Sequence, residues 1–278
     1  MKISTFILSG ALLASCAVAR PSRLAEREAR RLRGSRPFTG AHRLTQYNAT
    51  TNGTSEESGL EIFTVTSTSK HDQYSTNWAG VIIEKPPISQ NFTTVTGTFV
   101  VPKPTGSNGA ASAWVGIDGD TATQSILQAG VDFRISGGKI SYDSWYEWYP
   151  NYATDFSNFA ISAGNTITIT VHSTSTKTGS VTLSNKSTGK SVTQSLTAPS
   201  SSAALKGQNA EWIVEDFEQN GNLVAFANFG TVTFTGASAS TSSETVAPNT
   251  GIKVNIKQNG KVLTSTNSTS NTITVKHT

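Results

Sequence analysis

NTITITVHS, residues 165–173, alternates strictly. Ile167, Ile169 and Val171 fall on one side, and threonines and His172 fall on the other. Successive side chains of a strand point to opposite faces, so this is a strand with one buried and one polar face. From Tyr74 onwards the same period recurs in TVTGTFVVP (94–102), SVTLSN (180–185), LVAFANFGTVTF (223–234), IKVNIKQNGKVLT (252–264) and NTITVKH (271–277). Glycine-containing breaks separate these runs, and Asn259-Gly260 is a hairpin dipeptide. No amphipathic helix of normal length interrupts them. The pattern predicts an all-β fold, one domain of two packed antiparallel sheets.

The N-terminal residues differ in kind. Residues 1–19 carry one Lys, an apolar run from Phe6 to Leu13 and then Ala17-Val18-Ala19. That is the layout of a secretory signal peptide, and no later run has the length of a membrane span. The only cysteine is Cys16, inside that segment, so the domain that follows has to hold by packing alone. With about 200 residues it is large enough, since domains of that size bury roughly 70% of their unfolded surface. Sequons at Asn48, Asn52, Asn91, Asn185 and Asn267 fit a secreted surface.

The net charge of +4 is unevenly spread. Residues 1–70 hold ten Lys or Arg against five Asp or Glu, whereas residues 71–278 hold twelve against thirteen. Eight arginines lie between Arg20 and Arg43, and only Arg134 follows them. Behind a signal peptide, such a leader reads as a prosegment covering an acidic cleft rather than as a nucleic-acid arm. Residues 20–70 are therefore expected to be prosegment and flexible linker, and residues 71–278 the mature domain. Nothing points to a membrane or nucleic-acid partner, and the domain is expected to be monomeric.

Elimination narrows the chemistry. His42 and His71 lie in or beside the leader, His277 is penultimate, and His172 sits on the polar face of its strand. A Ser-His-Asp triad or a His-rich zinc site lacks its imidazoles. Carboxylates, amides and aromatics remain, and they cluster. In ASAWVGIDGD (111–120), Ala113, Val115 and Ile117 share one face, while Trp114, Gly116 and Asp118 share the other. In SILQAGVDF (125–133), Leu127, Ala129, Val131 and Phe133 oppose Ile126, Gln128, Gly130 and Asp132. Glycines on the second face admit a close approach, so these two strands are a candidate cleft floor. SYDSWYEWYPNY (141–152) holds six aromatics, more than one core face accommodates. AEWIVEDFE (210–218) carries four acids on a strand. Glu215 and Glu218 suit an edge strand guarded by charge, whereas Glu211, facing as Ile213 does, has the most apolar setting and a raised proton affinity.

YSTNWAGVII (74–83), ASAWVGIDGD, ILQAGVDF (126–133), SYDSWYEWYP (141–150) and NAEWIVEDFE (209–218), in this order, resemble the eqolisins, the glutamic peptidases. The resemblance runs from Tyr74 to the C-terminus. It implies a two-sheet jelly-roll sandwich of lectin-like appearance, a basic prosegment that inhibits until removed in acid, and no metal or cofactor. It also implies an acid endopeptidase insensitive to pepstatin, acting on protein and peptide substrates with Gln128 and Glu211 as the catalytic pair. Trp114, Asp118, Asp132, Tyr142 and Trp148 are further candidates for substrate contact or support. Several relatives have cysteines at the positions of Ala122 and Arg134, so their disulfides are absent here. A rival reading is a secreted carbohydrate-binding protein or glycoside hydrolase, with Glu147 and Glu211 as its two carboxylates.

Overall fold

The computed structural model describes residues 72–219 and 222–278. The expected signal peptide, the segment 20–70, His71 and the sequons at Asn48 and Asn52 lie outside the described residues. The first strands are β1 (Gln73–Ser75), β2 (Trp78–Ile83), β3 (Thr94–Val100), β4 (Asn108–Ile117), β5 (Ile126–Ser136), β6 (Lys139–Tyr149) and β7 (Thr154–Asp155). Next come β8 (Thr166–Ser175), β9 (Thr178–Asn185), β10 (Lys190–Thr197), β11 (Ala210–Glu215), β12 (Glu218–Gln219) and β13 (Asn222–Leu223). The last are β14 (Thr231–Ser240), β15 (Thr245–Val246), β16 (Ile252–Gln258), β17 (Lys261–Val262), β18 (Thr264–Ser268) and β19 (Thr272–His277).

Two large sheets form a sandwich. The front sheet runs β1-β16-β2-β11-β4-β5-β6-β7, and the back sheet runs β10-β9-β8-β3-β14-β19-β18. Strand pairs are antiparallel except β1 with β16. Alternation decides which side chains meet between the sheets. Ala113, Val115, Ile117, Leu127, Ala129 and Val131 of the front pack against Ile167, Ile169, Val171, Val95 and Phe234 of the back. Each such aliphatic side chain contributes about 1.5–3 kcal/mol when fully buried. Trp212 of β11 reaches across, its Nε1 donating to the Thr96 carbonyl of β3 at 2.7 Å. The 165–173 stretch is β8, with His172 exposed and its Nδ1 2.9 Å from Thr94 Oγ1. Asn259 and Gly260, at φ 49° and 79°, form the two-residue turn between β16 and β17.

Two expectations need correction. The acidic strand is not an edge: β11 lies in the middle of the front sheet between β2 and β4, and Glu215 and Asp216 are buried. Edge position depends on long-range pairing, and β2 and β11 are far apart in the chain. Of the described sequons, Asn91 and Asn267 are exposed. Asn185 is buried, and its Nδ2 donates to Asn165 Oδ1 at 2.9 Å.

Candidate active site

The outer face of the front sheet carries three cross-strand rows. One runs Ile82, Glu211, Gly116, Gln128 and Glu147 across β2, β11, β4, β5 and β6. The next runs Gly80, Ile213, Trp114, Gly130 and Trp145. The third runs Trp78, Glu215, Ser112, Asp132 and Asp143. A layer of tryptophans thus separates two layers of carboxylates. Trp78, Ile82, Trp114, Ile126, Trp145, Ile213 and Val254 form a second apolar cluster on this face.

Glu211 and Gln128 stand two strands apart with Gly116 between them. Adjacent strands are about 4.8 Å apart, so their backbones are separated by about 10 Å, and the two side chains flank the glycine. A Cβ at Gly116 would lie 3.2 Å from Glu211 Oε2, 3.3 Å from Gln128 Cβ and 3.0 Å from the Trp114 ring. The absence of a side chain at Gly116 keeps the pair facing each other. Gly130 does something else. A Cβ there would meet the rings of Trp145 and the Cβ of Trp114 at 2.6 and 2.7 Å, so this glycine admits the two indoles rather than a second chain.

Glu211 is fully buried, and neither carboxylate oxygen has a hydrogen bond of ordinary geometry within the protein. The same holds for Gln128 Oε1. Burial pushes the Glu211 carboxyl well above its ordinary value, and the charges of Asp120 and Asp118 push it further, partly offset by the Asp120 N–H. Buried polar atoms are normally satisfied, so unpaired oxygens on facing side chains mark a place made for something other than protein.

The other candidates divide. Trp114 lies beside the pair, its Nε1 donating to Glu215 Oε2 at 2.8 Å. Asp132 is on the same face, two cross-strand rows from Gln128, and accepts from Trp145 Nε1 at 2.7 Å. Asp118, in the left-handed region at φ 65°, is a clasp. Its carboxylate accepts from the N–H groups of Lys206, Gly207, Gln208 and Asn209 at 2.6–3.2 Å. Asn209 returns the grip, its Oδ1 accepting from the N–H groups of Asp120, Thr121 and Ala122. This mutual lock fixes the loop before Glu211 against the loop after β4, holding Ala122 without a disulfide. Arg134 is held by donation to Gln219 Oε1 at 3.3 Å and by the Phe217 ring.

Tyr142 and Trp148 are not brought to this face. Both alternate with Glu147 and so point between the sheets. Trp148 is buried in the main core with Nε1 on the Ala203 carbonyl, and Tyr142 donates to the Pro102 carbonyl. The six aromatics of 141–152 do divide as their number requires, with Trp145 and Tyr149 outward, Tyr142, Tyr146 and Trp148 inward and Tyr152 exposed. Sequence reasoning missed Ser112, Glu215 and Asn209, whose partners are distant in the chain. The carbohydrate reading loses ground on geometry. Glu147 and Glu211 are three strand spacings apart, about 14 Å between backbones, with Gln128 interposed, whereas a retaining glycosidase needs carboxyls about 5 Å apart.

A buried acid and a buried amide thus share one cross-strand row of a β-sandwich, flanking a glycine. The Peptidase A4 family matches residues 76–277, and the chain belongs to it. It is 42% identical to aspergillopepsin-2 of Aspergillus niger over 100% of both chains. Scytalidopepsin B of Scytalidium lignicola is 43% identical over 64% of this chain and 68% of its own. Among solved structures, scytalido-glutamic peptidase with a transition state analog inhibitor superposes with a TM-score of 0.66 at 38% identity, covering 73% of this chain and 98% of that one. Aspergilloglutamic peptidase from Aspergillus niger gives a TM-score of 0.59 at 50% identity, covering 61% and 99%. The chain is thus a glutamic peptidase of the two-sheet sandwich type.

Proposed function

We propose that this protein is a secreted acid endopeptidase that cleaves protein substrates with Glu211 and Gln128. The observation that carries the reading is the placement of these two buried side chains on either side of Gly116, with oxygens that make no side-chain hydrogen bond in the protein. The carboxylate of Glu211 takes a proton from water as the water attacks the peptide carbonyl carbon. The Gln128 amide holds that water through Oε1 and donates an N–H to the oxyanion that develops. The protonated Glu211 then gives its proton to the leaving amine, and the carboxylate is restored. Its raised proton affinity makes the ionised form a stronger base. It also keeps the acid form available where an ordinary carboxyl is ionised. An amide cannot ionise, so the pair needs no shared proton. Structures of scytalido-glutamic peptidase with a peptide based transition state analog, and of the eqolisin SCP-B with the tripeptide Ala-Ile-His, support peptide occupancy of such a site.

Secretion rests on the pattern of residues 1–19, and inhibition by the chain's own leader rests on its eight arginines, opposite in charge to the carboxylates of the candidate site. The domain acts as a monomer without cofactor. Incubating the purified protein at acidic pH with pepstatin and either a denatured protein or a β-glucan tests the reading. Protein cleavage with the glucan intact is the expected result. Glucan cleavage with the protein intact would overturn it.

A further inference from the structure

Glu147 closes the catalytic row on β6, directly opposite Gln128. The Gln128 Nε2 donates to Glu147 Oε2 at 3.2 Å, and both side chains are buried. A primary amide is nearly symmetric in shape, and rotation about its last side-chain bond exchanges oxygen for NH₂ at little cost. Which end faces the reacting centre has to be imposed by a neighbour. A carboxylate accepts and does not donate, so it tolerates only the NH₂ end of the amide. With one N–H committed to Glu147, the second N–H and Oε1 remain for the oxyanion and the water.

We propose that Glu147 is the positioning residue for Gln128, fixing the orientation of the catalytic amide. This rests on the peptidase reading above. The role of Glu147 is exerted through the Gln128 amide rather than on the reacting atoms. It works by excluding the flipped amide, in which an oxygen would replace the donor that faces the oxyanion. Glu147→Gln keeps the shape but accepts either end of the Gln128 amide, and so removes the constraint with little change in packing.

The test is a double-mutant cycle read on kcat, KM and the affinity of a peptide transition-state analogue, using wild type, Glu147→Gln, Gln128→Ala and the double variant. Analogue binding stays measurable when turnover is lost. The expected result is about a tenfold fall in kcat for Glu147→Gln with KM unchanged, as one catalytic hydrogen bond is misdirected part of the time. Analogue affinity should fall with kcat, and the double variant should bind it no more weakly than Gln128→Ala alone. Additive losses in the cycle, or a kcat within twofold of wild type for Glu147→Gln, would overturn the proposal. If Glu147→Gln fails to fold, Glu147→Asp serves, since it keeps an acceptor-only group and should retain analogue affinity that Glu147→Ala loses. Unchanged kcat in Gln128→Ala would instead overturn the assignment of Gln128, a distinct failure.

Discussion

Raising the pH from 4 to 7 should destabilise this domain, and Asp216 sets most of the effect that can be isolated. Its carboxyl is 1% exposed, and burial pushes its pKa from 3.8 up to about 7, against the hydrogen bond from Gln258 Nε2 at 2.7 Å. The folded protein therefore holds a proton that the unfolded chain releases near pH 4. That stability is fully present below the unfolded value and is lost as pH rises through the folded one. A gap of about three units at 1.36 kcal/mol each gives roughly 4 kcal/mol, a large share of the 5–15 kcal/mol typical of a domain. Glu211 and Asp118 are shifted the same way by burial and add to the slope. His277 works in the opposite sense, because burial and Lys261 hold its pKa down. Asp216→Asn mimics the protonated carboxyl and separates these contributions. Urea unfolding at pH 4 and pH 7 should show the variant losing about 4 kcal/mol less than wild type across that interval. Equal losses in the two proteins, or a wild type that gains stability between pH 4 and 7, would refute the reasoning.

Three further outcomes follow from the site. Gly116→Val puts two methyl groups between Glu211 and Gln128, where even a Cβ sits 3.2 Å from a carboxylate oxygen, so kcat should fall by about 100-fold or more while tryptophan near-UV circular dichroism is retained. Asp120→Asn removes a charge that raises the Glu211 carboxyl, so the limb of the kcat/KM–pH profile governed by Glu211 should move to lower pH, and a profile that stays in place would exclude Asp120 from that role. If the basic leader is held by the domain's carboxylates, the full-length zymogen should be inactive near neutral pH and should process itself in acid as those carboxylates become protonated, whereas a purified zymogen that stays intact through prolonged acid incubation would require an external protease.

The period of two was legible because it is local. Ile167, Ile169 and Val171 need no partner to declare a face, and the same bookkeeping put Gln128, Gly116, Trp114 and Asp132 together on one side. Glu211 was legible as the acid sharing a side with Ile213, and the resemblance then assigned its role. Position within the sheet was not legible. The centrality of β11, and with it the burial of Glu215, depends on pairing with β2 more than a hundred residues earlier. Trp148 and Tyr142 were candidates for substrate contact or support, although their alternation with Glu147 puts them in the other layer. Asp118 looked like a site residue because it follows Trp114 and Gly116, yet its partners are amides 88 to 91 residues later. Strand parity is written in the sequence. The neighbour across the sheet is not.

The central claim is that Glu211 and Gln128 act as one catalytic unit. Its most direct test is the cleavage of an unfolded protein substrate at acidic pH, in the presence of pepstatin, by wild type, Glu211→Gln and Gln128→Ala of matched urea stability. The account predicts activity in wild type and a loss of at least about 100-fold in each variant, the scale set by removal of a single oxyanion donor. Cleavage within a few-fold of wild type by either variant would contradict it.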